Sequence, residues 1–160
     1  MSRHRSTPAS AFARALKRSS LLALTLCLLS LASSFAIAEQ SQEVLVLVHP
    51  SNPSNSVSRE FVADAFLKKA TRWSHDEPIR PVDLRPNAAT RRLFSERMLR
   101  RSVAAVRSYW QQRIFSGRGV PPPELDDDAA VVRYVLKYPG AVGYVTGGTR
   151  LEGAKVVTIH

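Results

Sequence analysis

Two stretches of the chain place hydroxyl, amide and guanidinium groups where a backbone would turn. Ser54-Asn55-Ser56 follows one aliphatic run, and Arg85-Pro86-Asn87-Ala88-Ala89-Thr90 follows another. Arginine is a permanently charged, forked donor suited to phosphate, sulfate or carboxylate, and the neutral residues add further donors. If each stretch joins a strand to a helix, free N–H groups at the helix start reinforce the same chemistry. The crevice beyond the carboxyl ends of strands is where α/β sheets place ligands. The candidate ligand-binding residues are therefore Arg85, Asn87, Thr90, Ser54, Asn55 and Ser56. The same serines and asparagines also make ordinary turns and caps. That plainer reading is preferred for Ser54–Ser56, while for Arg85 the binding and structural readings stay open.

Other chemistries find little footing. His49, His75 and His160 lie far apart and lack metal-ligand spacing. No serine sits in a nucleophile-elbow setting. Asp126-Asp127-Asp128 fits the start of a helix, where negative charge meets the positive end of the dipole. Neither a catalytic acid–base pair, a metal site nor a cofactor site is expected. Arg91, Arg92, Arg97, Arg100, Arg101 and Arg107 form an arginine-rich stretch able to meet acidic partners, lipid headgroups or nucleic acid. No stacking platform or nucleic-acid motif accompanies it, so no nucleic-acid partner is expected, and a solvated helix face is the preferred reading.

The first 38 residues carry Arg3, Arg5, Arg14, Lys17 and Arg18 without an acid, then an apolar run from Leu21 to Ile37 ending in Ala36-Ile37-Ala38. That order reads as a cleavable secretory signal peptide. It predicts a periplasmic or secreted protein with no stable membrane anchor after cleavage. Cys27, the only cysteine, lies inside this segment, so residues 39–160 hold no thiol. Without the first 38 residues the net charge falls from +10 to +5. About 120 residues suffice for one domain with its own core.

Within residues 39–160, Val44 to Val48 reads as a strand buried on both faces. Ser58 caps a helix carrying Phe61, Val62, Ala65 and Phe66. Ile79 to Leu84 reads as a second core strand, followed by a helix from about Ala88 to Leu99. Ser102 caps a third helix with Val103, Val106, Trp110 and Ile114 at helical spacing. A fourth helix begins after the aspartates and stops at Pro139-Gly140. Ala141 to Val145 and Lys155 to Ile159 are short strands. Alternating strands and helices predict an α/β layer with a mostly parallel sheet flanked by helices.

Four stretches carry a further likeness: Phe66-Leu67-Lys68-Lys69-Ala70-Thr71-Arg72-Trp73, Ile79 to Arg85, Tyr109-Trp110 with Phe115-Ser116-Gly117, and Tyr138-Pro139-Gly140-Ala141-Val142-Gly143-Tyr144-Val145. In order and spacing they resemble the phosphate-binding proteins of phosphate ABC transporters and their small one-lobe relatives. The resemblance implies a single lobe of the type 2 periplasmic-binding-protein-like fold, and a non-catalytic extracytoplasmic module whose partner is phosphate or another small oxyanion. Arg85 stands where that family has an arginine, but Pro86-Asn87-Ala88-Ala89-Thr90 replaces its serine–glycine–threonine loop. Receptors of the family close two lobes on the ligand, so a second lobe from another chain is an implied partner. The alternative is a ligand-free domain that docks an envelope protein.

Overall fold

A computed structural model describes residues 43–160; the expected signal peptide, residues 1–38, lies outside the described residues. The aliphatic run forms β1 (Val44–Val48), and the turn-rich segment after it leads to β2 (Ser56–Val57). Helix α1 (Arg59–Phe66) opens on Ser58, whose hydroxyl accepts a hydrogen bond from the Phe61 amide. Strands β3 (Arg80–Pro81) and β4 (Asp83–Leu84) precede α2 (Ala89–Arg97). Helix α3 (Val103–Phe115) is capped by Ser102, which accepts from the Ala105 amide. Strand β5 (Glu124–Leu125), helix α4 (Asp128–Lys137), β6 (Ala141–Thr146) and β7 (Lys155–Ile159) complete the chain. Asp127 caps α4 by accepting from the Ala130 amide.

Five strands form one sheet in the order β2-β7-β1-β6-β3, and β4 pairs with β5 in a second, small sheet. β1 lies between β6 and β7 and runs antiparallel to both, with Val46 opposite Tyr144 on one side and Val157 on the other. The α/β class with helices flanking the sheet holds. The expected mostly parallel pairing is corrected: the long ladders are antiparallel, and parallel pairing is confined to β2–β7, β3–β6 and β4–β5. Aliphatic composition records burial, and β1 is buried because it is central and touched by α2 and α4. Strand direction leaves no such mark.

The expected strand from Ile79 to Leu84 divides at Val82. Pro81 lacks an amide hydrogen. The Val82 amide still donates to Val142 in β6, but the Asp83 amide already donates to Pro123. The chain thereby passes from one sheet to the other just before Arg85. Behind it, the Phe94 and Tyr144 rings stack with centroids 3.8 Å apart, and Phe66 packs against both. Trp73 and Trp110 are buried, and the Trp73 indole N–H donates to the Gly140 carbonyl. The apolar stripe of α3 ends a turn early: Val106 and Trp110 are buried, whereas Ile114 and Phe115 are exposed. Residues 43–160 belong to one compact unit. No helix of the described residues is long and apolar enough to cross a membrane.

Candidate functional site

β4 and β5 run parallel, so their carboxyl ends deliver Arg85 and Asp126 side by side. The Arg85 Nε donates to the Asp126 carboxylate, and both side chains stay largely in solvent. Arg85, Pro86, Asn87 and Glu124 line an open depression of about 420 Å³. Pro86 and Asn87 form the turn into α2, and the Ala88 amide donates back to the Arg85 carbonyl. Ala88 itself has no side-chain hydroxyl to cap α2. The depression thus offers one guanidinium and one side-chain amide, opposed by the carboxylates of Glu124 and Asp126.

Thr90 does not join Arg85 and Asn87 at that surface; it is buried on the inner side of α2. Ser54, Asn55 and Ser56 lie elsewhere. Ser56 opens β2 at one edge of the five-stranded sheet, while the chain reaching Arg85 leaves from β3 at the other edge. Ser54 and Ser56 line a separate depression of about 150 Å³ with Phe61 and Trp73. The Ser54 amide donates to the Asn52 side chain, and the Asn55 carbonyl accepts from the Thr158 amide. The first loop is therefore tied into the edge of the sheet, as the turn reading expects.

Beneath the Arg85 depression lies a polar cluster that the sequence reading passed over. Asp83 and Arg91 are both buried and paired at 2.6 Å. Arg91 Nη1 also donates to the Leu84 carbonyl at 2.7 Å and lies 3.8 Å from Glu124. The Tyr144 hydroxyl and the Leu84 amide both donate to Asp83 Oδ1. Burial pushes the Asp83 carboxyl up to about 6, although Arg91, Tyr144 and Leu84 all pull it down. Burial and the neighbouring Asp83 carboxylate push the Tyr144 phenol up as well. Arg91 thus leaves the solvated arginine run to which its sequence neighbours assign it. The available signal was Asp83 itself, an acid between two aliphatic residues of a core strand.

Asp128 makes a second polar knot at the same end of the sheet. Its Oδ2 accepts from the Thr146 amide, the Thr146 hydroxyl and the Thr149 hydroxyl. These bonds tie α4 to the end of β6, so Asp126, Asp127 and Asp128 serve three different partners.

No family model and no curated protein matches the sequence. Solved structures do match. A phosphate ABC transporter substrate-binding protein from Clostridium perfringens, solved with bound phosphate, superposes with a TM-score of 0.58 at 18% identity, over 72% of this chain and 44% of that one. An ABC-type phosphate transport receptor from Vibrio cholerae gives 0.57 at 17% identity, over 72% and 45%. PstS from Borrelia burgdorferi gives 0.56 at 8% identity, over 73% and 47%. The chain spans less than half the length of each of these proteins. Its described residues have the fold of the phosphate-transport receptors, as the resemblance implied, over the portion that the two share.

Proposed function

We propose that this chain is an extracytoplasmic, non-catalytic binding module of the phosphate-receptor type, reduced to one lobe and taking a small oxyanion weakly at Arg85 and Asn87. The observation that carries the reading is their convergence on one open depression, at the turn into α2, in a fold shared with a receptor solved with phosphate. The Arg85–Asp126 pair is exposed, and a pair of that kind is worth about 0–1 kcal/mol, so an incoming oxyanion can take its place. Glu124 opposes any anion, and the open depression leaves the ligand hydrated. Both features favour affinity in the millimolar range, about 4 kcal/mol. Residues 1–38 act as the cleaved export signal, leaving a mature domain that starts near Glu39.

Calorimetric titration of purified protein with phosphate and with sulfate tests the site. Saturable binding that disappears in Arg85→Ala supports it. Absence of binding well above millimolar concentrations transfers the scaffold to the alternative role, docking of an envelope protein without a small ligand. N-terminal sequencing of exported protein tests the processing step.

A further inference from the structure

Between residues 85 and 118 the chain carries nine arginines and a single acid, Glu96, whereas the rest of residues 43–160 holds nine basic and eleven acidic side chains. The positive charge is therefore concentrated on α2, α3 and the turns beside them. Arg92, Arg101, Arg107 and Arg118 are exposed, and no carboxylate of the described residues pairs with them. At the end of α3 the same surface turns apolar. Phe115 is 90% exposed, Ile114 50% and Val120 62%.

The backbone that displays these side chains is built to hold still. The Arg118 amide donates to the Arg113 carbonyl and the Gly117 amide to the Ile114 carbonyl, closing the helix with Gly117 in the left-handed region. The Arg113 side chain donates to the Arg118 carbonyl, bracing the turn, and Pro121-Pro122-Pro123 stiffens the exit. Phe115 thus projects from a braced helix end. These apolar side chains take no part in the depressions at Arg85 and at Ser54, and Phe115 in particular protrudes from the helix end into solvent. A protruding aromatic with flanking arginines fits a deformable, anionic surface better than a preformed protein pocket. Arginine stems lie along the acyl boundary while their heads meet phosphates.

We infer that the C-terminal end of α3 and the turn after it form a peripheral docking surface for an anionic lipid bilayer. Ile114, Phe115 and Val120 enter the headgroup layer while Arg107 and Arg118 meet lipid phosphates. The contact is peripheral, since no helix of the described residues can span a bilayer. It stands independently of the Arg85 site.

The test uses residues 41–160, whose core is self-contained and which exclude the apolar N-terminal run. Co-sedimentation compares phosphatidylcholine vesicles with vesicles mixed with phosphatidylglycerol. The expected result is salt-sensitive binding to the mixed vesicles alone. Ile114→Ser with Phe115→Ser should weaken it at least about tenfold, since about 1.4 kcal/mol is tenfold and an aromatic contributes more. Arg107→Glu and Arg118→Glu should each weaken it several-fold. The indole introduced by Phe115→Trp should be quenched by brominated lipid in the mixed vesicles. All four positions are solvent-facing, so circular dichroism should stay unchanged. Binding that ignores the two serine substitutions, or fluorescence of the Phe115→Trp variant that brominated lipid leaves unquenched, overturns the inference by reducing it to adsorption of a cationic protein. Failure on vesicles combined with capture on polyglutamate overturns it in favour of an acidic protein partner.

Discussion

The Asp83 carboxylate collects the Leu84 amide, the Tyr144 hydroxyl and the Arg91 guanidinium, yet burial still lifts it from 3.8 to about 6. Because the folded value lies above the unfolded one, the folded protein holds this proton more tightly than the unfolded chain does. The stabilising contribution of the group is complete below about pH 4 and is lost as pH rises to about 6. Arg91→Met keeps most of the side-chain volume but removes the charge that does most to lower the Asp83 value. The carboxyl then moves up further, and the loss of stability extends to higher pH. The expected cost is about 3–5 kcal/mol at neutral pH, the range for an uncompensated buried charge, and markedly less near pH 5, where Asp83 can take up a proton. Urea unfolding at both pH values measures it; equal costs would show that Asp83 is not the group left exposed to the loss. Nothing in the run Arg91-Arg92 distinguishes the buried arginine from the exposed one. Only the helix phase does, since Arg91 faces inward with Thr90 and Phe94.

The helix caps were legible at the scale of elements. Ser58 and Ser102 each accept the amide that their position predicts, because a cap is a local rule settled within three residues. The aspartate run marked the start of α4, and the structure gives the cap itself to Asp127. Strand direction, the switch of sheets at Val82 and the early end of the α3 stripe were not legible, because each is decided by residues distant in sequence. Two substitutions probe how tightly the elements are joined. A Cβ on Gly140 would lie 2.0 Å from the Pro78 carbonyl oxygen, a backbone atom that cannot swing aside. Gly140 also accepts from the Trp73 indole and from the Arg80 amide, so its displacement would disturb β3 and the Trp73 anchor together. Gly140→Ala should therefore cost about 1–3 kcal/mol or more, read as a lower midpoint in denaturant unfolding with an unchanged slope. Trp110, 5% exposed, packs α3 onto the core, and Trp110→Ala should cost about 3–5 kcal/mol. A smaller loss would mean that the site collapses around the missing ring.

The whole molecule combines a weak candidate anion site with a large, one-sided positive charge, and the two must be told apart. Any salt screens the repulsion among the arginines of α2 and α3 and so raises apparent stability. Phosphate specificity is therefore only the gain beyond chloride at equal ionic strength. If phosphate binds the folded state alone with a millimolar constant, then at about thirty times that concentration it adds about 2 kcal/mol. For a domain of this size that is a rise of several degrees in melting temperature. The expected pattern in thermal unfolding has three parts. Chloride raises wild type and Arg85→Ala alike; phosphate adds its further rise in wild type; and Arg85→Ala gains nothing from phosphate beyond chloride. Coincident phosphate and chloride curves would remove the anion site from the molecule. A phosphate excess that survives Arg85→Ala but vanishes in Arg107→Glu with Arg118→Glu would move it to the end of α3, onto the arginines proposed to meet lipid phosphates.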